Sequence, residues 1–249
     1  MRLTFSDVEF WDNLENPEVR ESILKKIAII GRTCYQSEAC DGGTEEFVRR
    51  LVKRGHESVL EHVSLTVKFT VDRGISHEIV RHRIASFTQE STRYCNYSKG
   101  KFGNEITVIQ PSYLRVGTQA WAEWFDSCMS AEKAYMKMLA DECTPQEARA
   151  VLPTSLKTTL WMTANLREWR HFLKLRAAGA TGKPHPQMAE VAIPVLRRFR
   201  EYLPEVFGDI LLEGETPVTE DGKVQEKEAQ DPEEGAAQNA PERPQKASK

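Results

Sequence analysis

The sequence lacks several features that would by themselves assign a function class. No apolar run approaches the ~20 residues that a membrane helix needs, and the first residues hold no apolar stretch typical of a signal peptide. We therefore expect a cytoplasmic protein with no membrane contact. Cys-x-x-Cys pairs are absent too, and the odd number of scattered cysteines argues against a disulfide framework and a zinc ribbon: Cys34, Cys40, Cys95, Cys128 and Cys143.

Glycine-rich phosphate loops and a strong excess of one charge are also missing. Neither Gly-x-Gly-x-x-Gly nor Gly-x4-Gly-Lys-Ser/Thr occurs, so side chains would have to hold any bound nucleotide. The net charge is −3, but residues 213–249 hold ten acidic and five basic side chains, which leaves +2 on the rest. That mild excess suits anionic small molecules and is far below that of a typical nucleic-acid-binding protein.

Zinc hydrolysis and nucleophilic catalysis lack support as well. His77 and His82 lie five residues apart, about 140° around a helix, so their imidazoles would diverge instead of sharing a metal ion. Nearby arginines could lower the pKa of Cys95, but a lone Cys is more often a small buried apolar residue. No His/Asp pair is spaced to activate Ser91. We expect no bound metal and no Ser or Cys nucleophile.

What is present predicts an α+β fold. Hydrophobic residues make up 40% of the 249, enough for a core. Strict alternation predicts a strand at 64–71 and loose alternation predicts one at 3–10, and shorter strands are expected at 106–110 and 158–163. Apolar spacing, caps and glycine stops predict helices at 17–30, 44–54, 74–85, 117–143, 166–176 and 188–202. Because strands and helices do not alternate regularly, we predict α+β instead of a parallel α/β sheet.

Three local expectations accompany these helices. Gly31 should end the helix that begins after Asn16, and a turn should follow at 41–43. The aromatic and Met stripe of the 117–143 helix should belong to the core. Asn165 should cap the helix at 166–176.

The composition changes after residue 212. Residues 213–249 contain no aromatic residue and are rich in Glu, Gln, Pro and Ala. Such a segment has too little apolar surface to bury, so it is typical of disorder. We therefore predict one folded domain over residues 1–212 and a disordered acidic tail over residues 213–249.

The stretch from Arg81 to Tyr94 carries the strongest chemical signal. Arg81, His82 and Arg83 stand in a row, and Ser91 and Arg93 follow; Arg and Ser are common donors to phosphate and carboxylate oxygens. Arginines partly inside a protein need anionic partners. Structural ion pairs, an anionic ligand, or a nucleic acid stacked on an Arg and aromatic platform at 81–94 would each satisfy them.

A second basic cluster favours a ligand with several anionic ends. Arg149 lies in one block of sequence, and three further arginines share the predicted 166–176 helix with its polar residues. That helix spans about three turns, so these side chains cannot all share one narrow face and would line more than one subsite. The residues are Asn165, Arg167, Arg170, His171 and Arg176.

Four sequence blocks together resemble one enzyme family. The first is Arg81-His82-Arg83-Ile84-Ala85-Ser86-x4-Ser91-x-Arg93-Tyr94. The others are Gly55-His56-Glu57-Ser58 with Glu61-His62, then Ala148-Arg149-Ala150-Val151-Leu152-Pro153, then Thr163-Ala164-Asn165-Leu166-Arg167 through Phe172-Leu173-Lys174-Leu175-Arg176. In this order they resemble the signature blocks of the flavin-dependent thymidylate synthases, and the likeness extends to about Tyr202.

The resemblance implies a fold, a reaction and an assembly. The fold would be a single domain of mixed helices with a small, mostly antiparallel sheet. In the reaction, dUMP would receive a methylene group from methylenetetrahydrofolate, reduced FAD would supply the hydride, and NADPH would reduce the flavin. The assembly would be a homotetramer with active sites between subunits and no nucleic-acid partner.

Carried over position by position, the resemblance implies two binding sites and one catalytic residue. The flavin site would comprise His56, Ser58, Arg81, His82, Arg83, Gln89, Asn165, Arg167 and His171. The dUMP site would comprise Glu78, Arg81, Gln89, Glu90, Ser91, Arg93, Arg149 and Arg176. Arg176 would be catalytic, because a guanidinium beside the uracil N3/O4 edge favours the deprotonated, electron-rich ring and so activates C5 without a covalent enzyme adduct.

Overall fold

Strands and helices follow one another irregularly along the chain, as predicted for an α+β protein. The computed structural model describes residues 1–35 and 43–216. Its strands are β1 (Arg2–Thr4), β2 (Asp7–Phe10), β3 (Ser64–Asp72), β4 (Ala85–Gln89), β5 (Thr107–Ile109) and β6 (Lys157–Asn165). Its helices are α1 (Pro17–Tyr35), α2 (Gly43–Lys53), α3 (Arg73–Ile79), α4 (Gln119–Ala140), α5 (Pro145–Ala148), α6 (Leu166–Arg176), α7 (Pro186–Tyr202) and α8 (Pro204–Phe207). Short 3₁₀ helices occur at Glu57–His62, Gly100–Phe102 and Arg149–Val151.

The main sheet is antiparallel and has the strand order β2-β3-β6-β4. Strands β3 and β6 pair along their whole length, from Ser64 opposite Asn165 to Asp72 opposite Lys157. Alternate residues of β3 are buried, because successive side chains point to opposite faces of a sheet. A second, two-stranded sheet pairs β1 with β5 in parallel. The predicted fold class, with its small and mostly antiparallel sheet, is confirmed.

The main core lies between the buried face of this sheet and the C-terminal helices. Phe69 of β3 packs against Trp169 of α6, whose ring meets Phe199 of α7 edge-on at 5.4 Å. Phe207 of α8 completes the cluster, 5.0 Å from Phe199. Edge and tilted aromatic contacts add to the burial of large rings, so they fix α6 firmly on the sheet.

Met1–Glu215 form one compact unit. The domain boundary predicted at residue 212 stays a prediction. Residues 217–249 of the predicted tail, and residues 41 and 42 of the predicted turn, lie outside the described residues. None of the described helices is both long enough and apolar enough to cross a membrane.

The prediction that Gly31 ends the first helix is wrong. Helix α1 starts where Asn16 accepts a hydrogen bond from the Glu18 amide, at 2.9 Å, and it continues through Gly31 to Tyr35. A Cβ atom at Gly31 would lie 2.8 Å from Leu51 Cδ1 and 3.1 Å from Phe47 Cε1. The glycine therefore permits a close approach of α1 and α2, and it is not a stop signal.

The single strand predicted at 3–10 is in fact two strands. The strand is interrupted at Phe5 and Ser6, where the chain passes from one sheet to the other. Strand β1 pairs in parallel with β5, whereas β2 pairs antiparallel with β3. Loose alternation identified the extended conformation but carried no information about the partner strand.

The helix predicted at 74–85 ends early. Asp72 caps α3 by accepting a hydrogen bond from the Ile75 amide at 2.7 Å, and the helix stops at Ile79. Pairing of β4 with β6 then requires an extended chain from Ala85 onward. Arg81, His82 and Arg83 therefore lie in the turn between α3 and β4, not on a helix as predicted.

The expectation that the whole stripe of α4 is core is also wrong for a single chain. Only Cys128 and Tyr135 of this helix are buried, on a second, smaller core with Tyr97 and Val108. Its other large apolar side chains are half-buried, and Met129 is exposed. Other differences are small: α7 begins at Pro186, β6 extends to both sides of the predicted strand, and α8 was not predicted.

Candidate active site

Helix α6 brings Arg176 to the turn that follows α3. Asn165 caps α6 as predicted by accepting a hydrogen bond from the Glu168 amide at 2.9 Å. Three turns later, Arg176 donates from Nε to His82 Nε2 at 3.1 Å and from Nη1 to Glu78 Oε2 at 2.9 Å. Two fixed contacts on neighbouring nitrogens hold the plane of the guanidinium.

His82 is buried and neutral. Only 5% of it is exposed, and its Nδ1 lies 3.1 Å from Glu168 Oε1. Burial, together with the positive charges of Arg176 and His171, lowers the pKa of His82 to about 4. Because a guanidinium N–H can only donate, His82 Nε2 must be the acceptor, and the proton of the neutral ring must be on Nδ1.

His82, Glu168 and His171 could also hold a metal ion. Each offers a ligand atom, and these atoms lie within 4.8 Å of one another. In the present geometry Arg176 donates to Nε2 of His82 and Glu168 faces Nδ1. A metal ion would have to displace one of these partners beside a fixed cation, which opposes binding.

Two grooves flank the 3₁₀ helix Glu57–His62. The larger, about 620 Å³, is lined mainly by α6, and the smaller, about 330 Å³, by the chain around Gly55. They share Glu57 and Arg167, and both fall in the size range of small-molecule sites. Five residues predicted for the flavin site thus lie along adjoining grooves: His56, Ser58, Asn165, Arg167 and His171.

The cations around these grooves differ in their pairing. Arg167 contacts Glu61 at 2.5 Å, and Lys174 lies 3.8 Å from Glu57, so carboxylates of the same chain face both. Arg81 and Arg83 are exposed, and neither makes an ion pair within residues 1–35 and 43–216. These two arginines are therefore available to an anion.

The residues predicted for the nucleotide form two groups. Glu78 and Arg176 meet near the start of β4, with Arg81 in the adjoining turn. Ser91 and Arg93 follow the other end of β4. Strand β4, which lies between Arg81 and Ser91 in the sequence, spans roughly 13 Å at about 3.3 Å per residue.

Arg149 belongs to the second group. Its Nη1 lies 3.4 Å from Thr92 Oγ1, between Ser91 and Arg93 in the sequence, and Arg93 itself lies over the ring of Tyr94. Arg149 and Arg93 are both exposed to solvent. The described chain thus places two cations at this end of β4.

Gln89 and Glu90 are engaged within the fold. The Gln89 amide donates to Ser76 Oγ at 2.8 Å and to Thr158 Oγ1 at 3.2 Å. Glu90 accepts from the Tyr97 hydroxyl at 3.0 Å and pairs with Lys157 at 2.9 Å. Their assignment to ligand binding stays a prediction, and these contacts give both residues a structural role at the sheet edge.

The aromatic part of the predicted nucleic-acid platform is incomplete. Phe87 is half-buried and packs against the main core. Tyr94 is exposed, and its ring contacts Arg93. One available ring is a small platform for stacking successive bases.

Arg170 does not belong to an anion-binding cluster, contrary to the prediction from its helix. It is 1% exposed, and its Nε donates to Glu57 at 2.8 Å. Its two terminal nitrogens bind both carboxylate oxygens of Asp209, at 2.6 and 2.7 Å, and Nη1 also donates to the Val206 carbonyl. Four hydrogen bonds therefore hold this guanidinium inside the protein. Arg170 therefore anchors α6 to the segment after α8.

Glu168 was missed as a site residue. The spacing Asn165-x-x-Glu168 is visible in the sequence as a helix-start pattern, which predicts a capping role. The contact of its carboxylate with His82, 86 residues earlier, depends on the pairing of β4 with β6. No sequence spacing could have indicated that contact.

Comparison with known proteins identifies the family. The family described as "Thymidylate synthase complementing protein" matches residues 20–205. The flavin-dependent thymidylate synthase of Geobacter sulfurreducens is 32% identical over 193 residues, covering 74% of this chain and 80% of the relative. That of Mycolicibacterium gilvum is 32% identical over 203 residues, covering 74% and 78%.

The fold also occurs in a solved structure. The UMP/dUMP methylase PolB from Streptomyces cacaoi, crystallised with 5-Br dUMP, superposes with a TM-score of 0.67 at 22% identity. The match covers 84% of this chain and 96% of that one. With the family match over most of the described residues, the resemblance noted in the sequence is confirmed. The chain belongs to the flavin-dependent thymidylate synthase family.

Proposed function

We propose that this chain forms dTMP by transferring a methylene group from methylenetetrahydrofolate to C5 of dUMP, with FAD as hydride donor and NADPH as the reductant of the flavin. The observation that carries the proposal is the hydrogen-bonded series Glu78–Arg176–His82–Glu168, whose last member lines the larger groove. Family membership supplies the reaction class.

The residues fit a flavin dinucleotide. Its pyrophosphate needs cations, and Arg81 and Arg83 are exposed without an ion pair in the described ranges. Ser58, Asn165 and His171 add hydrogen-bonding groups along the grooves. When bound, reduced FAD would supply the hydride that completes the methyl group.

Arg176 would activate the nucleotide. A guanidinium stays protonated, and here its partners are one carboxylate, Glu78, and one neutral ring, His82. Glu78 balances its charge formally, but Nη2 makes no hydrogen bond within the described residues. Beside the N3/O4 edge of uracil it would stabilise negative charge on the ring and raise the electron density at C5, the atom that bonds to the methylene carbon.

Two of the cysteines, Cys95 and Cys128, support a route without a thiol nucleophile. Burial, followed by the charge of Glu90, raises the pKa of the Cys95 thiol. Burial also raises the pKa of Cys128. A catalytic thiol requires the opposite shift, because the thiolate is the nucleophile. We propose that C5 is activated through Arg176 and not through an enzyme adduct.

We also propose a homotetramer whose sites combine residues of different subunits. In one chain, Ser91, Arg93 and Arg149 lie beyond the last residue of β4, whereas Arg176 contacts the turn before its first residue. A second copy could bring its own Arg93 and Arg149 to the first copy's Arg176. The exposed apolar side chains Ile84 and Tyr94, at the two ends of β4, suit burial in such an interface.

A direct test uses the purified full-length chain. We expect yellow protein that releases FAD on denaturation and forms dTMP only when dUMP, methylenetetrahydrofolate and NADPH are all present. The Cys95→Ala variant should retain turnover, and light scattering should give the mass of four chains. Colourless protein that neither binds added FAD nor forms dTMP would refute the proposal, and binding of single-stranded nucleic acid in its place would favour the alternative function.

A further inference from the structure

Glu168 is one of three buried carboxylates among the described residues. It is 6% exposed, and burial raises its pKa even though the charge of His171 opposes the shift. Glu205 faces Arg20 and Arg49, and Asp72 accepts from the amides of Ile75 and Gln187. The partner of Glu168 is instead the ring of His82. Holding a carboxylate in the interior beside a neutral partner is costly, and such groups concentrate at functional sites.

The helix start does not require this arrangement. The contribution of Glu168 to the cap of α6 is its backbone amide, which donates to Asn165 Oδ1. The side chain instead reaches the ring of His82, with Oε1 3.1 Å from Nδ1. The carboxylate therefore has a role other than capping the helix.

That role follows from the hydrogen-bonding chemistry of Arg176, His82 and Glu168. Arg176 Nε–H can only donate, so it needs a lone pair on His82 Nε2. A neutral imidazole has a lone pair there only when its proton is on Nδ1. An ionised carboxylate can only accept, so Glu168 selects this tautomer and no other.

We propose that Glu168 is a positioning residue: it fixes the Nδ1–H tautomer of His82, which in turn orients the guanidinium of Arg176. The expected effect on kcat rests on the proposed function, whereas the expected effect on the tautomer of His82 does not. Glu78 holds the Nη1 side of the same guanidinium, so His82 and Glu78 together determine the direction of the remaining Nη2.

Glu168→Gln is the most direct test, because it keeps the shape of the side chain and removes the preference for the Nδ1–H tautomer of His82. An amide can either accept from Nδ1–H or donate to Nδ1, and the second arrangement places the proton on Nε2, facing Arg176. We expect kcat for dTMP formation to fall about 10- to 100-fold, the usual effect of losing the outer partner of a functional histidine. Bound FAD should be retained.

Two controls separate positioning from stability. Glu205→Gln removes a buried carboxylate of α8 and should lower thermal stability with kcat unchanged. In a His82→Gln background, where the ring is absent, adding Glu168→Gln should change kcat less than about twofold, because residues that act through one another are not additive. An equal loss in both backgrounds would show that Glu168 does not act through His82.

A measurement without turnover completes the test. Nitrogen-15 shifts of labelled histidine distinguish the two tautomers, and the signal lost in His82→Gln identifies His82. We expect a protonated Nδ1 in the wild type and a population with a protonated Nε2 in Glu168→Gln. A wild-type ring protonated on Nε2 overturns the inference. If the wild type forms no dTMP, the proposed function fails, while the nitrogen signal still decides whether Glu168 fixes the ring.

Discussion

Arg170 and Arg176 lie on the same helix but in opposite chemical situations. Arg170 is 1% exposed and is bound by two carboxylates, Glu57 and Asp209, and a backbone carbonyl. The side chain of Arg176 is 25% exposed and is bound by one carboxylate and one neutral imidazole. The first guanidinium makes four hydrogen bonds and meets two carboxylates, whereas the second makes two hydrogen bonds and meets one carboxylate.

The difference teaches how to separate a structural arginine from a functional one. A saturated, buried guanidinium binds nothing further, because any ligand would have to displace a hydrogen-bonded carboxylate. A partly exposed guanidinium with one carboxylate and one neutral partner keeps a fixed orientation and, within the described residues, leaves Nη2 to a ligand. Exposure alone does not make this distinction, since Arg167 is 53% exposed and is nevertheless paired with Glu61.

The largest expected effect comes from breaking the saturated network. Arg170→Met leaves Glu57 and Asp209 without their buried partner, so we expect the free energy of unfolding to fall by about 3–5 kcal/mol. Denaturant unfolding at a fixed protein concentration measures it. Arg167→Met on the same helix is the control, with an expected change below about 1 kcal/mol. Similar values for both variants would contradict the structural role of Arg170.

Breaking the unsaturated network should affect turnover and not the fold. Arg176→Ala removes the cation beside the uracil ring, and we expect kcat to fall about 100- to 1,000-fold, with FAD still bound. Arg198→Ala is the matched control: its side chain is 30% exposed and pairs with one carboxylate, Glu15. It should retain turnover. Full activity in Arg176→Ala would refute the role assigned to that residue.

Lowering the pH should change the free energy of unfolding by a smaller amount than these substitutions, and the two networks should respond at different pH. The pKa of His82 is about 4 in the fold and 6.5 ordinarily, so between these values the unfolded state takes up a proton that the folded state excludes. Stability is therefore complete above pH 6.5 and declines toward pH 4, by roughly 2 kcal/mol between pH 7.5 and pH 5. In the other network, Arg170 lowers the pKa of Asp209 although burial opposes the shift, so Asp209 titrates at more acidic pH.

Unfolding at pH 7.5, 6 and 5 tests this contrast. His82→Gln should remove the loss of stability toward acid, because the histidine that titrates is gone and the raised pKa of Glu168 contributes with the opposite sign. His62→Gln, a change at an exposed histidine, should leave the slope as in the wild type. A slope unchanged by His82→Gln would mean that another group controls acid stability.

Local patterns predicted the elements that depend on local physics. Strict alternation marked β3, and Asn165 marked the first residue of α6, whose predicted span of 166–176 matches the helix. Four motif blocks identified the family before any contact was known. The prediction that Gly31 ends α1 was wrong, because this glycine instead allows close contact with Leu51 and Phe47 on another helix.

The sequence by itself determined the residue types that can bind anions, the helix that carries three of them, and the family. Only the tertiary structure distinguished the structural Arg170 from Arg176, the residue proposed to act on the nucleotide. Arg170 meets Asp209 39 residues away, and Arg176 meets His82 94 residues away in the opposite direction. Both contacts depend on the packing of α6 on the sheet, and a guanidinium's role depends on whether its neighbours are charged or neutral.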